Sequence, residues 1–198
     1  MPQKIRAEEL ILSIDAGTQS IRAALVDMEG NILDIVKTPI QPYFSENPGW
    51  AEQQPDYYWD VLCKTTGQLL QREEPLKKNI KGVTLTTQRA TMINVDKNGK
   101  PLRPAIVWLD QRKADSRQIM PGALRPMIKT VKLLETLEGA IQDCDANWIR
   151  QQQPEIWEKT YKYLVLSGFF THRLTGEFID SVANNIGYLP FDNKTYQW

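Results

Sequence analysis

Apolar and polar positions fall in blocks along this chain, and the blocks predict strands first and helices later. Leu10-Ile11-Leu12-Ser13-Ile14 is an apolar run that ends in Asp15, and a second run starts at Ile21 and reaches Val26. Met28-Glu29-Gly30-Asn31 reads as a turn into a third strand over residues 32–37. Short links between three consecutive strands predict an antiparallel meander. Pro39, Pro42, Pro48 and Pro55 mark a loop, after which Asp56 opens a helix. Its Trp59, Leu62, Cys63, Leu69 and Leu70 fall at helical spacings and predict one buried face, with Cys63 packed and inert on it. Glu73, Glu74 and Pro75 end that helix. Residues 80–87 read as a buried strand, 92–95 as another and 105–109 as a short further one, with Trp108 in it. From Asp110 to Leu174 the pattern is mostly helical, broken at Pro121, Pro126 and Pro154 and closed by Gly176. Residues 188–191 read as a last strand.

The predicted order is strand, strand, strand, helix, strand, with a tight polar turn between the first two strands. By analogy this is the order of an actin-like, ribonuclease-H-like ATPase domain: α/β, with a mixed sheet that starts as three antiparallel strands, and flanking helices. Composition narrows the function classes. Lys plus Arg and Asp plus Glu are 24 each in 198 residues, so no basic excess points to nucleic acid or to an anionic membrane surface. No apolar run is long enough to span a bilayer, and the N-terminal residues lack the apolar stretch of a signal peptide. Two distant cysteines and one histidine argue against a disulfide framework or a zinc site and suit a reducing cytoplasm.

The first turn carries the candidate chemistry. Gly17 permits a sharp turn and close approach of a ligand. Backbone N–H groups, the hydroxyls of Thr18 and Ser20, and the cation of Arg22 can cradle phosphate oxygens. Asp15 repels phosphate directly, but it can hold Mg²⁺ or a metal-bound water that neutralises it. The same residues also read as an ordinary β-hairpin with a capped turn.

Further motifs follow in order: Gly49-Trp50-Ala51-Glu52-Gln53-Gln54-Pro55, Leu85-Thr86-Thr87-Gln88-Arg89-Ala90-Thr91, Pro104-Ala105-Ile106-Val107-Trp108-Leu109-Asp110-Gln111-Arg112, and Asp180-Ser181-Val182-Ala183-Asn184-Asn185. With Asp15-Ala16-Gly17-Thr18 they resemble the N-terminal part of the FGGY carbohydrate kinases, over nearly the whole chain. The resemblance implies an enzyme that transfers the γ-phosphoryl group of ATP to a sugar or polyol hydroxyl with Mg²⁺. Carried over by position, Asp15 is the metal carboxylate, and Gly17, Thr18, Gln19, Ser20 and Arg22 face the phosphates. Gln88, Arg89 and Trp108 then line the sugar pocket, where Trp108 offers a flat wall to C–H faces. On the residues alone, Arg89 also reads as half of a surface ion pair and Trp108 as core. Glu52 is expected to fix a loop, Asp110 and Arg112 to form a local ion pair, and the lone His172 to pack on a helix surface.

Two departures from the family pattern qualify the substrate. Family members acting on glycerol carry Glu directly after the pocket Arg, where this chain has Ala90. Those acting on xylulose carry a Met-His pair where this chain has Gln88-Arg89. Residues 120–139 read as an insertion. The resemblance places the family's catalytic Asp and its adenine-binding domain beyond the last motif. Residues 1–198 are therefore expected to form an N-terminal fragment with no catalytic base of its own. The expected partners are a sugar or polyol and ATP, with room for a homo-oligomer. The alternative is a catalytically inactive actin-like module that binds a sugar or a protein partner.

Overall fold

The computed structural model describes residues 9–130, 132–184, 192, 194 and 195. In chain order the elements are β1 (Leu10–Ala16), β2 (Ser20–Asp27), β3 (Ile32–Pro39), β4 (Glu52–Gln53), α1 (Pro55–Arg72), β5 (Ile80–Thr87), β6 (Met92–Val95), β7 (Ala105–Ile106), α2 (Ser116–Ile119), α3 (Arg125–Thr130), α4 (Leu134–Gln142), α5 (Asp145–Gln152), α6 (Pro154–Lys159), β8 (Lys162–Val165) and α7 (Leu166–Thr175). Short 3₁₀ segments lie at Glu74–Asn79, Gly122–Leu124 and Val182–Asn184. The chain divides into two compact units: one of Met1–Pro42, Gln54–Arg89 and Val165–Trp198, the other of Tyr43–Gln53 and Ala90–Leu164.

The first unit is a mixed four-stranded sheet in the order β3-β2-β1-β5. β1 to β3 run antiparallel, as the short links predict, and β5 returns parallel to β1. Leu10, Leu12, Ile14 and Ala16 are buried on alternate positions of β1, which puts one face of the pleat into the core. Ile21, Ala23, Leu25 and Val36 extend that face across the neighbouring strands. α1 covers β2 and β3, and α7 covers β5. Phe169 and Phe170 of α7 are fully buried, and Phe170 meets Trp59 of α1 at 6.1 Å between ring centres. Asp27 organises the β2–β3 turn: its Oδ1 accepts from the N–H groups of Glu29 and Asn31, and Gly30 takes the left-handed conformation at φ 88°.

α1 starts with Pro55 at its first position, where a missing N–H costs nothing. Its buried arc is Tyr58, Val61, Leu62, Thr65 and Leu69. The expected face is thus rotated, and Cys63 is exposed. The rotation is possible because Thr65 buries its hydroxyl satisfied, bonded to the Val61 carbonyl and the Thr38 hydroxyl at 2.7 Å each. β5 differs too. Predicted as buried, it lies at a sheet edge with Val83 51% exposed, because a parallel apolar strand reads the same at the edge as in the middle.

The second unit has a sheet in the order β4-β7-β6-β8. β7 stops at Ile106, so Trp108 and Leu109 lie in a turn and not in a strand. The helical stretch is interrupted by β8, whose four residues are too few for periodicity to distinguish. Pro126 breaks nothing, since it occupies the first turn of α3, where proline is tolerated. The core gathers Ile106, Ala114, Trp148 and Ile149, with Trp50, Ile156, Trp157 and Tyr163 packed on it. The strand expected over residues 188–191 lies outside the described residues.

α7 ends at Gly176, whose φ of +80° is left-handed and whose N–H donates to the His172 carbonyl. A Cβ there meets nothing within 4 Å, so only backbone strain opposes one. Gly176→Ala should cost about 1–2 kcal/mol of stability, read as a lower urea midpoint. An unchanged midpoint would contradict the left-handed cap.

Candidate functional site

In the first unit, the β1–β2 hairpin places Asp15 directly opposite Arg22. Arg22 Nη1 donates to Asp15 Oδ2 at 2.7 Å, and both side chains stay partly exposed, at 44% and 39%. The link between the strands is short. Gly17 N–H donates to the Ser20 carbonyl at 3.1 Å, so this amide is spent inside the hairpin. The Gln19 carbonyl accepts from Ile40 N–H, which ties the tip to the end of β3. Gln19 is exposed and Thr18 half-buried, while Ser20 is buried at 3% exposure. Of the six residues expected around phosphate, the structure therefore presents Asp15, Gln19 and Arg22 to solvent, Gly17 and Thr18 less so, and Ser20 least.

Gln88 extends the β1–β5 pairing by one step, its N–H donating to the Ala16 carbonyl at 2.8 Å. The strand end that leads into Arg89 thus runs beside the hairpin tip. The Gln88 side chain turns to α1, where Nε2 donates to Tyr58 Oη at 2.9 Å and Oε1 is a buried acceptor without a partner among the described residues. Burial pushes the Tyr58 hydroxyl up to about 12, so it stays protonated and donates to the Pro42 carbonyl. Arg89 is exposed. Ala90, the next residue, sits at φ 51°, a left-handed conformation that alanine adopts at a cost of about 1–2 kcal/mol. Nothing in its sequence context signals this.

The Asp180 motif also belongs to the first unit. Ser167 at the start of α7 donates to Asp180 Oδ2 at 2.7 Å, and Asn184 Nδ2 donates to both Ser167 Oγ and Asp180 Oδ1. Gly168 leaves room for this carboxylate, which lies 3.3 Å from where its Cβ would be. His172 stacks on Phe178 at 4.0 Å, the packing role expected of it.

In the second unit, two sequence motifs close on each other. β4 pairs antiparallel with β7, and Val107 N–H donates to the Ala51 carbonyl at 3.0 Å. Asp110 Oδ2 accepts from Ala51 N–H at 2.7 Å, and Gln111 N–H donates to the Gly49 carbonyl. Arg112 is the centre of this arrangement. It donates to Asp110 through its N–H, Nε and Nη2 at 2.7–2.8 Å. Its Nη1 lies 2.9 Å from Glu52 Oε1. Its guanidinium sits 4.0 Å over the Trp50 ring and 4.6 Å from Trp148, the two indoles meeting edge to face. Arg103 pairs with the same Glu52 oxygen and donates through Nε to Gln153. All four charged side chains are at most 6% exposed, and their charges cancel. The local Asp110–Arg112 pair was legible in the sequence. Its closure on Glu52, Arg103 and two tryptophans was not.

A cavity of about 590 Å³ lies against this network, lined among others by Val107, Trp108, Asp110, Gln111, Lys113 and Asp145. Trp108 is 52% exposed and forms part of its wall. Asp145 opens α5. Burial, with Asp110 beside it, lifts its carboxyl to about 6 despite the pull of Arg112 and Arg103. Sequence reasoning missed Asp145, because a lone Asp at a helix start normally reads as a capping residue.

A metal here has a sparse donor set. Among the described residues no three His, Cys, Asp or Glu side chains gather as a metal cluster. Asp15 gives one carboxylate, with Oδ2 engaged by Arg22. That fits Mg²⁺, which often takes one or two carboxylates and fills its shell with phosphate and water. Among the described residues no helix is long and apolar enough to cross a membrane.

A sequence profile described as the FGGY family of carbohydrate kinases, N-terminal domain, matches residues 10–198. The chain is 29% identical over 193 residues to a xylulose kinase of Staphylococcus epidermidis, covering 96% of this chain and 38% of that protein. It is 31% identical over 195 residues to a glycerol kinase of Thermococcus gammatolerans, covering 96% and 39%. The crystal structure of Plasmodium falciparum glycerol kinase with ADP superposes with a TM-score of 0.69 at 25% identity, over 96% of this chain and 39% of that one. The chain thus spans about two fifths of the length of the relatives it matches.

Between its ordinary value of 3.8 and about 6, the Asp145 carboxyl is protonated when folded and ionised when unfolded. The folded state holds the extra proton, so this group's contribution to stability is full below that window and is lost as pH rises through it. Asp145→Asn should remove the loss and gain on the wild type by up to about 3 kcal/mol across the window. Urea titrations at several pH values check this; parallel curves for the two proteins would contradict it. Glu52→Gln, which strips the carboxylate shared by two buried guanidiniums, should destabilise by about 3–5 kcal/mol. The same titration reads it, and a change below about 1 kcal/mol would mean the network is not desolvated.

Proposed function

The chain belongs to the FGGY family of carbohydrate kinases, and we propose that residues 1–198 form the first domain of a kinase moving the γ-phosphoryl group of ATP to a sugar or polyol hydroxyl. The observation that carries this is local to the first unit: the Asp15–Arg22 hairpin tip is tied through Gln88 N–H to the strand end that leads into Arg89. A phosphate-side loop and a candidate sugar-side residue are thereby built on adjacent strands of one sheet.

In this reading Asp15 holds Mg²⁺, which neutralises phosphate charge when bound. Gly17, Thr18, Gln19, Ser20 and Arg22 shape the phosphate side. Arg22 has two tasks: it orients Asp15, and it offers its remaining N–H groups outward. Gln88 serves mainly through its backbone, since its amide is engaged by Tyr58. Arg89 donates to a carbohydrate hydroxyl, and Trp108 gives an exposed indole for C–H faces. Phosphoryl transfer asks chiefly for alignment and charge neutralisation, which these residue types supply. The proton acceptor for the attacking hydroxyl is not assigned to any of them. The free thiols Cys63 and Cys144 suit a cytoplasmic setting.

Calorimetric titration of the chain with Mg·ATP, and separately with glycerol, xylitol and D-xylulose, tests this. Arg89→Ala should weaken carbohydrate binding roughly tenfold to a hundredfold, the loss of a hydrogen bond to a charged group worth about 1.5–3 kcal/mol, and leave nucleotide binding unchanged. Asp15→Ala should do the reverse. An Arg89→Ala effect on nucleotide alone would overturn the assignment of the two sides.

A further inference from the structure

Three carboxylates line the cavity of the second unit, and two of them are committed. Asp110 is saturated by Arg112 and by Ala51 N–H. Asp143 pairs with Lys113 at 2.9 Å on the exposed rim. The Asp145 side chain has neither an ion pair nor a hydrogen bond among the described residues, yet the residue is half-buried beside the Trp108 wall. The charges around it are balanced without it: Arg103 and Arg112 against Glu52 and Asp110, Lys113 against Asp143. An ionised Asp145 therefore leaves the cavity one negative charge in excess. A cavity of about 590 Å³ has room for a small carbohydrate.

We infer that Asp145 reads the charge of the carbohydrate: its carboxylate accepts from a hydroxyl of a neutral sugar or polyol lying against Trp108, and it excludes a sugar that carries a carboxylate or phosphate. The inference rests on the carbohydrate-kinase reading and names a specificity residue for it. A buried carboxylate gains from a hydroxyl donor, since its lone pairs otherwise face the cavity unpaired. It repels a second anion strongly, because the surrounding protein screens poorly. The groups facing it are Asp110, Asp143, Arg112, Arg103 and Lys113. Asp145 changes state as pH rises, from protonated below about 6 to ionised above. Discrimination against an anionic sugar should therefore switch on as pH rises.

The test is calorimetric titration of the chain with xylitol and with D-gluconate, near pH 5 and near pH 7.5. D-Gluconate is ionised at both. In the wild type the preference for xylitol over D-gluconate should rise on the order of tenfold between the two conditions. In Asp145→Asn, which keeps hydrogen-bonding capacity but not the charge, the preference should be flat with pH and near the wild-type acid value. A pH-independent preference in the wild type, or an equal pH dependence in the variant, overturns the role of Asp145 while leaving the carbohydrate reading intact. Binding of neither probe to either protein overturns that reading and this inference with it. The wild-type arm needs no substitution, so a misfolded variant does not remove the test.

Discussion

Arg112 holds the second unit together. Its guanidinium is gripped by Asp110 on one edge and Glu52 on another, and it lies against the edge-to-face pair of Trp50 and Trp148. Such a buried network is a poor source of net stability, because desolvating four charges offsets most of their attraction. What it supplies is position. Asp110 also takes Ala51 N–H, so the turn carrying Trp108 is fixed against the strand carrying Glu52. Trp148 comes from α5, so the helix that starts with Asp145 is registered to the same guanidinium. The wall and the uncommitted carboxyl of the cavity are both set by one arginine. Lysine could not replace it, having no planar fork to fill two carboxylates and two ring faces at once.

The first unit solves a different problem with less charge. Alternation on β1 puts apolar side chains under α1 and α7 and leaves Ile11, Ser13 and Asp15 on the other face. The same pleat that buries Ile14 and Ala16 therefore brings Asp15 out beside Arg22. A one-residue slip in register would bury the carboxylate and expose the core, so the hydrophobic pattern itself protects the site geometry. Gln88 then couples that face to the next strand through its backbone, which does not depend on side-chain identity.

Much of this was legible in the residues. Short links predicted the antiparallel start, and β5 and β6 have the predicted bounds. The motifs before α1 and around Arg112 were legible as separate strings. Nothing in either says that Glu52 and Asp110 share an arginine, because that is a matter of pairing across residues 50 apart or more in sequence. The burial of α1 was off by a fraction of a turn, since Thr65 can be interior only once Thr38 is opposite it. Trp108 looked like strand because apolar composition does not reveal where β7 runs out of partners. Ala90 and Asp145 carry no local signal at all: one has an ordinary side chain on a strained backbone, the other an ordinary side chain in an unusual field.

Those two silent residues mark where local rules are broken, and broken rules in a well-packed domain call for a cause. Ala90 holds a left-handed backbone that glycine would adopt without strain. Asp145 keeps a carboxyl where burial opposes its charge, at a position where its side chain caps nothing. Each costs stability that an ordinary substitution would recover. Asp145 and Ala90 both line the same cavity, together with Trp108. A cost confined to one cavity, while the charges of the Arg112 network beside it balance, is the pattern expected where stability has been traded for a shaped, charge-selective surface.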